Sequence, residues 1–156
     1  MKLESVKDQV LARMSQCRLM TLPGLAEATT VAGQIKHNLL EAFVDGIGVS
    51  VAAATDKAWG AGLSNVGDGK KALFLLTLTA AGAISGARSE AVDNADADPV
   101  LPSVPAGETP FGTIKIVNTS GADFVPGTTD LSAAGIAATF ADVSWPTTGD
   151  DALEYS

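Results

Sequence analysis

Cysteine occurs once, as Cys17, so no disulfide can form within the chain and a zinc site built on several cysteines is excluded. Histidine also occurs once, as His37, inside a strand-like run. Catalysis needs a nucleophile, a base and an orienting group that converge. The sequence offers no such set, and we expect a non-enzymatic protein without cofactor, in which His37 is a packed or surface residue. Aromatic residues make up only 5 % of the chain, whereas alanine and glycine contribute 26 and 16 residues. The apolar fraction of 46 % is therefore dominated by small side chains that each bury little area. Such a chain suits a subunit whose stability is completed on a partner surface. Long apolar runs are missing as well. The longest, Ala72 to Ala87, is too short and too rich in Thr, Gly and Ser to span a bilayer. Met1 to Asp8 lacks the apolar stretch of a signal peptide, so the chain is expected to be made in the cytoplasm and to leave it only by assembly.

Positive charge is scarce in one half only. Residues 1–78 hold eight Lys/Arg against seven Asp/Glu, and residues 79–156 hold two against eleven, for a net charge of −8. An acidic surface repels nucleic acid and anionic membranes, which excludes both as partners. It suits a solubilising face on an abundant protein.

Leu3, Val6, Val10, Met14 and Cys17 recur at spacings of three and four, with Leu11 beside them and charges between. That pattern predicts an amphipathic helix of roughly four turns, ended by Pro23-Gly24. Its apolar stripe must pack, either on its own domain or on a neighbouring chain. From Val31 onward the period changes. Leu39 to Val44 and Ile47 to Ala53 flank Asp45-Gly46, the signature of a tight hairpin. Ala72 to Thr79 reads as a strand buried on both faces, followed through Ala80-Ala81-Gly82 by a partner over Ala83 to Ala87. Glu90 to Pro110, with five acids and four prolines, predicts an extended surface connection. Further strands are expected over Phe111 to Val117 and Ile136 to Val143. The domain pattern is a helical arm over 1–20, a β domain over 31–145 and an acidic flexible tail over 146–156. The fold class is mainly β: a compact antiparallel β-barrel or sandwich with an N-terminal amphipathic helix arm.

Several motifs fail on their own chemistry. Gly67-Asp68-Gly69-Lys70-Lys71 lacks the Walker spacing and the magnesium-binding Ser/Thr. The acids of loop 90–99, from Asp93 to Asp98, alternate like the start of a calcium loop, but the bend glycine and the distal Glu are missing, which favours a solvated loop. Asn118-Thr119-Ser120 matches a glycosylation sequon and reads as an exposed turn. Trp59 and Trp145 sit beside turn residues, where each either caps the end of the β domain or anchors an interface.

Taken together, the hairpin at Asp45-Gly46, the strand and turn Ala72 to Gly82, the stretch Leu101 to Gly107 leading into Phe111 to Ile116, and Phe124 to Leu131 running on to Phe140-Ala141-Asp142 resemble a recurrent type of tailed-bacteriophage virion protein. The resemblance covers about residues 35–143. It implies a compact β domain on a capsid or fibre. The expectation is a capsid decoration or cement protein, a homotrimer on the major capsid protein at the virion surface, with Leu3, Val6, Val10, Leu11, Met14 and Cys17 as the docking arm. The alternative is a tail-fibre or adhesin module that binds a bacterial surface glycan, with Trp59, Trp145 or Tyr155 stacking on sugars.

Overall fold

A computed structural model describes residues 18–143, and these form eleven antiparallel strands with no helix among the described residues. The helical stripe from Leu3 to Cys17, together with Trp145 and the acidic tail, lies outside the described residues. β1 (Arg18–Leu19), β4 (Leu40–Val44) and β5 (Ile47–Val51) make one sheet. β2 (Ala26–Glu27), β3 (Ile35–His37) and β6 (Ala54–Lys57) make a second. The largest runs in the order β11 (Ile136–Asp142), β10 (Thr109–Asn118), β7 (Lys70–Leu78), β8 (Ile84–Arg88), and β9 (Val92–Asp93) continues the β8 edge along β7. Strand structure thus begins at Arg18, ahead of the expected start at 31.

The predicted hairpin forms as written. Asp45 and Gly46 take φ of 51° and 77°, and Val44 lies opposite Ile47. A two-residue turn with positive φ at both positions matches the right-handed twist of its flanking strands. The predicted core strand is β7, whose Phe74, Leu76 and Leu78 are fully buried. Its register with β10 puts Phe74 opposite Ile114 and Ala72 opposite Ile116. Directly opposed residues share a face, so one face of the large sheet carries the apolar row. Ile35, Leu40, Val44, Trp59, Val66 and Phe124 complete the same core from the other elements. Each large side chain buried there contributes roughly 1.5–3 kcal/mol.

The barrel expectation is corrected. Each sheet ends in strands paired on one side only, so none closes on itself. The physical reason lies in the connections. Polar links, and not a continuous ladder, join one sheet to another: the Thr109 hydroxyl donates to the Phe43 carbonyl at 2.8 Å, and the Asp142 carboxylate accepts from the backbone N–H groups of Gly24 and Leu25 at 3.0 and 2.8 Å. Gly112 leaves room at this junction for the end of the Leu25 side chain, which a Cβ there would push aside.

Candidate interaction surface

On the outer face of the large sheet one loop is tied to β7 and β10. Leu75 and Thr77, on the side of β7 away from the apolar row, are 1 % and 0 % exposed. The segment from Asp96 to Glu108 is tied across them. Lys71 Nζ donates to the Asp96 carbonyl at 2.6 Å and pairs with Asp98 at 3.1 Å. Lys115 Nζ, from β10, meets the other Asp98 oxygen at 2.6 Å. At the far end the Thr77 hydroxyl donates to the Glu108 carboxylate, and Glu108 N–H donates to the Pro105 carbonyl at 3.2 Å. Lys115, then Lys71, holds the Asp98 carboxyl below its ordinary pKa.

Between these clamps the chain presents apolar side chains to solvent. Val100 is 87 % exposed, Leu101 47 % and Val104 43 %, while Pro99 is buried. Proline at 99, 102 and 105 restricts the backbone, so little conformational entropy remains to be lost on docking. Three apolar side chains within five residues, on a loop fixed at both ends, form a surface suited to a protein partner.

The acidic loop is organised by lysine. Lys70 bonds Asp93 at 2.7 Å, and Asp98 bridges Lys71 and Lys115. Among the described residues no group of three or more His, Cys, Asp or Glu is placed to hold a metal ion. Nor is any helix among them long and apolar enough to cross a membrane.

Trp59 is corrected as an interface anchor and takes the other role expected of it, packing on the core. It is 4 % exposed, stands edge-on to Phe74 with ring centroids 5.4 Å apart, and its indole N–H donates to the Gly33 carbonyl at 2.8 Å. No face is left for a coat protein or a sugar. The burial follows from close backbone approach: Gly127 (φ 72°) lies against the Trp59 carbonyl with no room for a Cβ. The other anchors, Leu3, Val6, Val10, Leu11, Met14, Cys17 and Trp145, lie outside the described residues. His37 is packed, 3 % exposed, with Phe111 edge-on and its Nδ1–H donated to the Asn38 carbonyl at 2.7 Å. A carbonyl can only accept, which fixes the donor role on Nδ1.

The sequon reading of Asn118 is also corrected. Asn118 is fully buried, and its amide donates to the carbonyls of Val66 at 2.9 Å and Ala122 at 2.7 Å. Its side-chain oxygen accepts from Ser120 N–H at 3.0 Å and from the Ser120 hydroxyl at 2.7 Å. It organises the turns beyond β10 from inside. An open groove of ≈ 390 Å³ runs between β8 and the 57–63 segment, with Lys57 its one charged lining residue. It brings no acid or base together with that lysine.

No protein-family model, curated protein or solved structure matches the chain.

Proposed function

We propose that the chain is a non-catalytic structural protein of a tailed-phage virion, which decorates and stabilises the capsid by docking on coat protein. The observation that carries the reading is the clamped loop presenting Val100, Leu101 and Val104. A decoration subunit binds by many repeated weak contacts, so each copy needs a small, preorganised apolar anchor. The loop supplies one, and its lysine clamp spends the adjacent Asp98 so that the apolar side chains dominate what a partner meets. Exposed acids such as Glu90, Asp96 and Asp123 give the remaining surface a charge that opposes clumping of particles. The residue 1–17 stripe is a second docking element in this proposal. A glycan-binding module receives less support, because Trp59 is enclosed in the core.

The test is co-sedimentation of the full chain with mature capsids of a tailed phage that encodes it. Saturable binding is expected, weakened at least about tenfold by Val100→Asp with Leu101→Asp, since a charge buried at an apolar contact costs several kcal/mol. Equal binding by this variant would remove the loop from the interface, and no binding by either form would sink the decoration reading.

A further inference from the structure

The outer edge of β11 is paired with nothing among the described residues. We propose that β11 pairs antiparallel with β11 of a second copy, about a two-fold axis at Thr139, so that one sheet runs through both protomers. This goes beyond the docking reading, does not depend on it, and puts a dimer in place of the trimer expected from the resemblance.

The register with β10 decides which groups face the edge. Thr119 N–H donates to the Gly135 carbonyl at 2.7 Å, and Val143 N–H donates to the Phe111 carbonyl at 3.0 Å. In an antiparallel ladder the bonding direction alternates, so residues 137, 139 and 141 also face β10. The backbone groups of Ile136, Ala138, Phe140 and Asp142 therefore point outward. Ile136 N–H is used within the preceding turn, by the Ala133 carbonyl at 3.0 Å. Ala138, Phe140 and Asp142 are left as outward donors, and all four residues offer carbonyls.

Edges of this kind are normally blunted with Lys, Pro, a bulge or an inward charge. From Ile136 to Ala141 there is no proline and no charged residue, and the pairing with β10 runs through seven residues without a shift. The opposite end of the sheet differs: β8 has five residues, includes Gly86 and ends on Arg88.

The strand also complements itself. An axis at Thr139 sets Ala138 opposite the second copy's Phe140, small against large, on the core side. Thr139 meets its own counterpart and Ala137 meets Ala141 on the exposed side, all small. The strand's one charge, Asp142, is placed opposite Ile136 at the far end from its counterpart, and its carboxylate is already held by Gly24 and Leu25 N–H. Moving the axis to Ala138 or Phe140 takes Asp142 or Ile136 off the end of the ladder. Ile136, Ala138 and Phe140 are half-buried as they stand, and the added strands cover them.

The experiment measures the native mass of the full chain by sedimentation across a concentration series, for the unaltered chain, for Thr139→Lys, for Thr139→Glu and for a mixture of the two variants. A dimer is expected for the unaltered chain. Each variant alone sets like charges opposite each other and should weaken association at least about tenfold. The mixture should restore it. Thr139 is exposed, so both variants are expected to keep the fold, which thermal melts check. Should either fail to fold, Ala138→Pro takes its place, since it removes an outward N–H and none of the N–H groups that bond β10. Amide exchange at Ala138, Phe140 and Asp142 should be slow in the dimer and fast in the variants. A monomer at every concentration, a trimer, or a dimer indifferent to the charge at 139 would each overturn the pairing. A monomer with protected amides would show instead that the chain's own ends cover the edge.

Discussion

Replacing Asn118 by alanine tests whether one buried amide holds the turns beyond β10. Four hydrogen bonds are lost, two donated to Val66 and Ala122 and two accepted from Ser120. At about 1 kcal/mol net each, the upper figure is ~4 kcal/mol. Two acceptors keep other partners: the Val66 carbonyl still accepts from Phe124 N–H at 2.9 Å and the Ala122 carbonyl from the Ser120 hydroxyl at 3.1 Å. The expected cost is therefore about 3 kcal/mol. For a domain of this size that lowers Tm by roughly 10 °C. Asn118→Asp sharpens the test, because it keeps the acceptor side but turns a carboxylate toward two carbonyls. It should be at least as damaging at neutral pH. Thr119→Ala is the control, since the Thr119 hydroxyl makes one exposed bond to the Gly135 carbonyl at 3.1 Å. Urea unfolding of the three variants reads the difference. If Asn118→Ala loses less than about 1 kcal/mol, or no more than Thr119→Ala, the buried network is not what orders these turns.

Gly127→Ala should cost more than an exposed glycine replacement, at least about 2 kcal/mol, because it combines a positive φ with a Cβ driven into the Trp59 carbonyl; Gly107→Ala, where no atom stands within 4 Å, is the comparison in thermal melts. Trp59→Phe keeps the ring against Phe74 but strands the Gly33 carbonyl, and about 1–2 kcal/mol of lost stability is expected in the same assay. Acid should release the apolar loop. Asp98 has a folded-state pKa below its ordinary 3.8, held there by Lys115 and then Lys71, so its contribution is complete above that value and disappears as pH falls through the folded pKa. Asp98→Asn should flatten the stability curve over that interval, and an unchanged slope would show that the lysines do not act through this carboxylate.

Much of the fold was legible because its signals are local. Asp45-Gly46 states its turn type through backbone preference alone, and the unbroken apolar run in β7 states that the strand is covered on both faces. The β1 and β2 strands were not legible: two residues each carry no period, and what orders them is distant, such as the Asp142 carboxylate at Gly24 and Leu25. Closure was illegible for the same reason. Alternation gives each strand two faces, and says nothing about whether the last strand of a sheet meets the first.

The surface was harder still, since the same residues read oppositely in and out of context. Trp59 beside a glycine resembles an exposed anchor, and a carbonyl from a residue 26 positions away takes its N–H into the core. Asn118 in a sequon resembles a surface turn, yet its amide bonds a carbonyl 52 residues away. Val100, Leu101 and Val104 are too few to make an apolar run inside an acidic, proline-rich stretch. A signal was present: prolines at 99, 102 and 105 interleave with apolar residues, a spacing that fixes an extended backbone without a ladder. An acidic loop cannot fold back on an apolar sheet unless cations meet it there. Lys71 and Lys115 lie on the outer face of β7 and β10, and the loop's Asp98 is spent on them while its apolar residues are turned away. Such exposed apolar residues sit on a loop tied to the two longest strands of the fold, β7 and β10, which is why the proposed docking places the contact there.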